Sequence, residues 1–359
     1  MKLASLLALA LLVVAPQVHA DSVTRHVPAD YPTIQQALNA SGFGDIVLVA
    51  PGTYFENLVM SSQHDGVQLL SESGPEVTTI DAGQLDRVVR CSNVGAQTQI
   101  VGFTLINGRA EPFTPNNIGG GLSLYQADLR IQNNIIRDNL AEAAGGLYIN
   151  FSSPTLLGNV IRDNEALGSG GGIYCDHYSN PRLERNIIAR NRSGHYGGGV
   201  TIWETSSPQL INNTIVSNNA SLDGGGVYVT RSSHPELTGN IIADSQGNGM
   251  YLADASSSVS MGCNDVWGNS PANYAGLPDG TGINGNISAD PRFCNLANLD
   301  LRIDESSPCA PSNSPPGCGL IGALDVGCGA TAVEPVTWGG IKARYGEAIT
   351  KGTAANTPH

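Results

Sequence analysis

The sequence predicts an all-β solenoid, a chain wound into coils of three short strands, each coil stacked on the last. Three observations predict it. Between Gly119 and Asn269 one phrase recurs six times, most clearly as GGLYINFSSPTLLGNVIRDN, GGIYCDHYSNPRLERNIIARN, GGVTIWETSSPQLINNTIVSN and GGVYVTRSSHPELTGNIIADS. The last glycine of each cluster stands at Gly121, Gly146, Gly172, Gly199, Gly226 and Gly249, at spacings of 25, 26, 27, 27 and 23. An asparagine keeps the same drifting period at Asn134, Asn159, Asn186, Asn213, Asn240 and Asn264. Two independent markers on one period mean that each repeat returns to the same place on its neighbour. The segments also lack a 3.6-residue apolar period, which excludes a helix in each repeat.

The elements follow in order. After each glycine cluster the residues alternate: Leu147 and Ile149 against Tyr148 and Asn150, Val200 and Ile202 against Thr201 and Trp203, Val227 and Val229 against Tyr228 and Thr230. Period two is a strand with its apolar set facing inward. Leu156, Asn159, Ile161, Asn164 and Leu210, Asn213, Ile215, Asn218 then mark a second and third short strand separated by bends. Asparagine tolerates the left-handed backbone region and its amide bonds the same amide one coil away, so a vertical asparagine ladder is expected to satisfy buried turn backbone. Glycine at the other corner lets coils approach with no Cβ between them.

These repeats resemble the right-handed parallel β-helix repeats of the pectate-lyase-like superfamily, over roughly Tyr31 to Cys328. The resemblance implies a right-handed single-stranded parallel β-helix. Extrapolating the period gives about nine to eleven coils. The scaffold carries many chemistries and some non-enzymes, so activity has to be argued from the site.

Met1 to Ala20 carries Lys2, an apolar run from Leu3 to Ala15, and Val18, His19, Ala20 as a small-residue cleavage pattern. It reads as a secretory signal, with the mature chain starting at Asp21. The competing reading, a membrane anchor, suffers from an apolar run too short to span a bilayer, and no later segment could span one. Export to the periplasm, the medium or the cell surface follows. In the next segment Pro32 and Thr33 open a short helix in which Ile34, Ala37 and Leu38 share a face and which Gly42 and Gly44 close. It is expected to cap the open end of the core. The run IVLVAPGTY starts the first coil, and PGTYFE resembles the entry of pectin-methylesterase-like β-helix proteins.

Residues 61–98 keep the period less well, and Ile100 to Gly108 restores it, with Phe103 and Leu105 matching Asn134 and Ile136. The corner RAEPFTPNNIG after Gly108 is longer than a coil requires: a loop beside the functional face, or a plain length variation. The β-helix with its N-terminal cap is assigned to 21–290, the last coil and a Cys-rich cap to 291–330, and a docking or disordered tail to 331–359.

The net charge of −13, with three lysines in the whole chain, argues against a nucleic-acid partner, which needs a basic stripe. Of seven cysteines, Cys175 falls in the inward column with Ile149 and Ile202, as a buried apolar thiol. Cys294, Cys309, Cys318 and Cys328 cluster at the end, where disulfides are expected in an oxidising compartment, with Cys309–Cys318 and Cys263–Cys294 the preferred pairs. Metal binding is the weaker alternative, because no CxxC or histidine pair accompanies them.

The glycine register stacks the outward residues in columns. Two places after the glycine stand Tyr148, Tyr174, Thr201, Tyr228 and Tyr251; four after stand Asn150, Asp176, Trp203 and Thr230; five after stand Phe151, His177, Glu204, Arg231 and Asp254. Rings beside amides and carboxylates suit an extended polysaccharide, so Tyr148, Tyr174, His177, Trp203, Tyr228, Tyr251 and Asp254 are candidate substrate-binding residues. The competing readings are ordinary strand tyrosines and an ordinary cross-strand charge ladder at His177, Glu204 and Arg231.

The superfamily's lyases gather carboxylates around calcium and use an arginine or lysine base, and on that resemblance Asp176, Glu204 and Arg231 are the catalytic candidates, with Asp254 as a further ligand and calcium as the cofactor. The recognisable lyase, methylesterase and hydrolase patterns are absent. A second acidic column, Asp138, Asp163 and Asp244, sits at turns, the first two beside Arg137 and Arg162, which neutralise them locally. Two functions remain open: binding or processing of an extracellular, uronic-acid-containing polysaccharide, by a lyase or glycoside hydrolase if catalytic, and a non-catalytic adhesive or structural solenoid.

Overall fold

Stacked coils in the computed structural model, which describes residues 22–110 and 117–328, meet at corners where a Cβ has no room. One added to Gly146, Gly172, Gly199 or Gly226 would lie 2.4 to 2.6 Å from the carbonyl oxygen of the glycine one coil on. The expected signal at 1–20 and the tail at 331–359 lie outside the described residues.

Three parallel sheets run the length of the solenoid. In chain order within a coil, the first has ten strands, from Thr24–Val27 to Ser260–Gly262, the second nine, from Gly52–Phe55 to Asp265–Trp267, and the third nine, from Leu58–Met60 to Tyr274–Ala275. A short fourth sheet runs from Leu140–Ala141 to Asn219–Ala220. Together they make about eight right-handed turns, fewer than the repeat extrapolated. The missing coils were expected after Asn269, where the chain makes one short strand at Tyr274–Ala275, a bridge from Ile287 to Asp265, and an antiparallel hairpin of Phe293–Asn295 and Asp300–Ile303.

Register agrees with the sequence columns. Ile149 pairs with Cys175 and Cys175 with Ile202, all fully buried, and Leu105 pairs with Ile136. One apolar core runs from Val27 to Val266, fed by inward residues of all three sheets such as Leu156, Ile161 and Ile149.

The asparagine ladder is present, with its backbone role shifted by one residue. Asn186 shows the pattern: its Nδ2 donates to Asn213 Oδ1 at 3.0 Å and to the Leu156 carbonyl at 3.0 Å, while its Oδ1 accepts from Asn159 N and Nδ2 at 2.9 and 3.0 Å. All four side-chain hydrogen-bonding positions are thereby filled inside the protein. The ladder runs from Asn134 to Asn286, and a second runs from Asn139 through Asn164 and Asn191 to Asn218. The left-handed residue is the one before each ladder asparagine: Asn133, Gly158, Arg185, Asn212, Gly239 and Cys263, all at positive φ.

The N-terminal helix α1, Ile34–Asn39, has Thr33 as N-cap and buries Ile34, Ala37 and Leu38, as the sequence indicated. Glu56, the last residue of PGTYFE, accepts hydrogen bonds from the Ile34 and Gln35 amides at 2.8 and 2.9 Å. The C-terminal segment lies along the outer side of the second sheet: Leu301, Ile303, Cys309, Ala310 and Ile321 pack on Ala189, Val216, Ile241 and Ala243 in a second core.

That packing corrects the disulfides. Cys263 pairs with Cys318 and Cys294 with Cys328, at Cα separations of 5.3 and 5.1 Å. Cys309 is a free thiol in the second core, its Sγ 3.2 Å from Asp265 Oδ2, so neither preferred pair forms. Nearness in sequence misled, because beyond the hairpin the chain buries Cys309 in the second core and returns, through a bridge of Val326 with Ile303, to set Cys328 beside Cys294.

Two outcomes follow. Asn213→Ala strands buried donors and acceptors on both neighbouring coils and should cost on the order of 3 kcal/mol in urea denaturation, with exposed Thr238→Ala within about 0.5. Burial pushes the Asp265 carboxyl up to about 6, opposed by its bonds from the Ala289 amide and the Cys309 thiol. The folded state therefore keeps this proton where the unfolded chain has released it, so stability is fullest below the ordinary carboxylate value and is lost as pH rises through about 6. Asp265→Asn should flatten that slope, by up to about 3 kcal/mol between pH 4 and pH 7 in paired denaturation curves.

Candidate functional site

The outer face of the third sheet and the corner that follows it bring together most of the residues expected to act. Register places Tyr148, Tyr174, Thr201, Tyr228 and Tyr251 one above another, and Asn150 beside Asp176. The residues five places after the glycine are not on the flat sheet. Phe151, His177, Glu204 and Arg231 all take left-handed backbone, followed in the last three coils by a second left-handed residue, Tyr178, Thr205 or Ser232. Two such residues in succession turn the chain sharply into the first sheet and swing their side chains to the rim. A serine column behind the corner, Ser152, Ser179, Ser206 and Ser233, receives the amide of the preceding coil's serine at 3.3, 3.2 and 3.3 Å.

The rings form a continuous stack but are less open than the alternation suggested. Tyr148 and Tyr228 keep only 9% and 5% of their surface exposed. Tyr228 lies between Trp203, Tyr251 and Tyr196, with ring centroids at 6.1, 5.5 and 4.8 Å, all three stacked on it. Tyr148 and Tyr174 meet edge to face at 5.7 Å. Burial raises both phenols above their ordinary range, and pushes Tyr228 up to about 12. The open rings lie at the rim: Tyr125, Phe151 and Tyr178, at 49%, 43% and 60% exposure, linked through contacts of 6.1 Å. The sequence columns began at Gly146, and extending them one repeat to Gly121 would have placed Tyr125 four positions on, beside Asn150 and Asp176.

Asp176, His177 and Glu204 converge, offering ligand atoms all within 4.8 Å of one another. His177 stands between two carboxylates, Nδ1 at 2.9 Å from Asp176 Oδ1 and Nε2 at 3.4 Å from Glu204 Oε2. Asp176 is buried, and its Oδ2 accepts from the Tyr148 hydroxyl at 2.7 Å, itself an acceptor from Asn150 Nδ2 at 2.7 Å. Arg231 reaches Glu204 Oε2 at 3.9 Å and covers the Trp203 ring, its Cζ 4.6 Å from the centroid. Such an imidazole, fixed at both nitrogens and part exposed, is placed to take up or release a proton.

The calcium set expected of Asp176, Glu204 and Asp254 does not assemble. Asp254 accepts from Thr230 Oγ1, the Arg231 amide, and Ser256 and Ser257, which hold its carboxyl below the usual range. Both Asp176 oxygens are engaged within the protein, and Arg231 stands against Glu204. Calcium takes about six to eight oxygens, and with Asp254 outside the cluster the carboxylates that converge are those of Asp176 and Glu204. His195 lies exposed at the glycine corner, beside Tyr196 and outside the cluster.

Residues 120–288 match the family model described as a right-handed β-helix region. The protein is a right-handed parallel β-helix. Among curated proteins none matches the chain. Among solved structures, this β-helix is similar to the pectin methylesterase from Aspergillus niger in penultimately deglycosylated form, at 16% identity and a TM-score of 0.39, covering 75% of this chain and 90% of that one. The deglycosylated form of the same enzyme gives 15%, 0.34 and the same coverage. Likeness at that level carries no argument about what this β-helix does.

Tyr148→Phe removes the hydroxyl that joins Asn150 to Asp176 and leaves both without that partner. It should cost about 1–3 kcal/mol in denaturant midpoints, whereas Phe151→Ala on the open rim should cost under about 1.

Proposed function

We propose that this β-helix is exported and binds an extended extracellular polysaccharide along the outer face and rim of its third sheet. The observation that carries the reading is two neighbouring runs of rings, Tyr148 through Tyr174, Trp203 and Tyr228 to Tyr251 on the sheet and Tyr125 through Phe151 to Tyr178 at the rim, bordered by amides and ionised groups. Aromatic faces stack on sugar faces, and the adjoining Asn150, His177 and Glu204 supply donors and acceptors for hydroxyls. Export accords with two disulfides and with the leader-like first twenty residues. No helix among the described residues is long and apolar enough to cross a membrane.

If the face also cleaves its ligand, His177 is the proton-transfer group. Asp176 orients it and Glu204 shares its outer nitrogen, while Arg231 offsets developing negative charge; none of these roles calls for calcium. The second reading, a binding or adhesive module without catalysis, is favoured by one feature: the Glu204 carboxylate is already engaged within the cluster, by Arg231 and the His177 ring.

Retention on immobilised neutral and acidic polysaccharides tests the binding. Trp203→Ala should weaken retention about tenfold, since it removes one ring and releases the Arg231 cation from it. Retention unchanged by that substitution would sink the proposal. Reducing ends and unsaturated product, measured with and without chelator, separate the readings: cleavage abolished by His177→Ala and indifferent to chelation marks an enzyme, and no cleavage with retention intact marks the module.

A further inference from the structure

The C-terminal end of the barrel leaves part of its core open. Ile149, Cys175, Ile202 and Val229 follow one another down an inward column and are fully buried, whereas Leu252, next in register, is only half-buried. Leu156, Leu183, Leu210 and Leu237 form a second inward column, and Met261 after them is half-buried too. Among the described residues Ser260–Gly262 is the last strand of its sheet, and Leu252 lies beyond the pairing of its own strand with Tyr274–Ala275. Neither side chain therefore has a neighbour one coil on. The other end of the barrel differs: there Ile34, Ala37 and Leu38 of α1 lie fully buried in the same core.

A recess of about 330 Å³ opens over Leu252, Val259 and Met261, lined also by Leu277, Pro278 and Ile283. Ile283 is 56% exposed, and the one ionisable group in the lining is Asp279. Solenoids need a polar outer surface on their terminal repeat, so an apolar opening at the end of the core calls for a cover.

The chain itself carries a fitting segment. Residues 329–359 follow Cys328 and lie outside the described residues. Within them Trp338, Ile341 and Tyr345 recur at the spacing of one helical face. Between Trp338 and Lys351 the charges are Lys342, Arg344 and Lys351 against Glu347, in a chain whose net charge is −13, so this stretch is basic where the recess is acidic. Reach is sufficient. Arg190 holds the Leu296 and Ala297 carbonyls of the hairpin that carries Cys294, and Ala189 beside it is three coils, about 15 Å, from Trp267 in the last coil. Cys328 is bonded to Cys294, and the ten residues from there to Trp338 span up to about 35 Å, which leaves about 20 Å for the turn onto the barrel's end. Tethering also gives this segment an effective concentration at the recess that a second copy in dilute solution does not match.

We propose that residues 338–349 dock in this recess and close the C-terminal end of the core. Trp338, Ile341 and Tyr345 cover Leu252, Met261, Leu277 and Ile283, and Lys342 and Arg344 face Asp279.

The test is hydrogen–deuterium exchange, read by mass spectrometry, on the full mature chain and on a synthetic peptide of residues 329–359. In the chain the amides of 338–349 should exchange about tenfold more slowly than in the free peptide, at every protein concentration used. Leu277→Lys and Ile283→Lys, which put a cation into the recess, should return those amides to the peptide's rate while the interior strands keep theirs. Trp338→Ala leaves the barrel's own sequence intact, so it covers the case in which neither recess variant folds; it should speed exchange at 259–263 and 283–286. Exchange of 338–349 at the free peptide's rate in the wild type overturns the proposal. So does protection that survives all three substitutions, which places the segment elsewhere, and so does protection that grows with protein concentration, which makes a second copy the cover.

Discussion

The buried asparagine ladder is the constraint on which the rest of this structure depends. A coil must bend between sheets, and each bend removes backbone amides from water without giving them a strand partner. Here the amide of one asparagine donates to the side chain of the next, and that side chain's own protons go to the following coil and to a strand carbonyl. A buried polar group left without a partner costs about 1–3 kcal/mol, so a coil shifted by one residue would strand several groups at once. Vertical register inside the barrel is therefore strongly specified, and the outer columns inherit it. The tyrosines align because the asparagines must.

The same reasoning explains what could be read from the sequence. Inward columns, glycine corners and the ladder each carry a residue type with a narrow physical role, and they recur often enough to be counted. Cys175 beside Ile149 and Ile202 was legible for that reason, as was the buried face of the first helix. The left-handed position was not, because Asn, Gly, Arg and Cys all fill it, and the recurring ladder asparagine beside it drew the assignment. Ring exposure was not legible either: alternation says that Tyr228 points outward, and only neighbouring coils say that Tyr196, Trp203 and Tyr251 cover it. The disulfides failed because their partners are set by the packing of a C-terminal segment that leaves the period.

Convergence of the ionised groups has an equally local cause. Asp176 and His177 are consecutive, one ending a strand and the other opening the left-handed corner, so their side chains diverge by less than strand alternation would give. Glu204 occupies His177's place one coil on, about 4.8 Å away, within reach of the imidazole's far nitrogen. Asp254 holds the same count after its glycine two coils beyond, but the corner there is one residue longer before its serine, Ser257, and Asp254 lies instead on Thr230 and the Arg231 amide. A column on paper thus becomes a three-residue cluster and a separate backbone cap, and the difference is one residue of corner length.

The two long outer faces make the functional argument by contrast. On the second sheet the outward residues include Ala189, Val216, Ile241 and Ala243, and the chain's own C-terminal segment covers them, tied down by two disulfides. Apolar surface there has a partner within the same molecule, and the side chains are small enough to admit one. On the third sheet the outward residues from Tyr125 to Tyr251 carry rings, amides, hydroxyls and a carboxylate, and at the rim Tyr125, Phe151 and Tyr178 stand exposed. Large exposed rings grouped together on one face mark a surface that meets something else. Rings interleaved with amides and carboxylates, repeating at the pitch of the coil, suit a ligand that itself repeats.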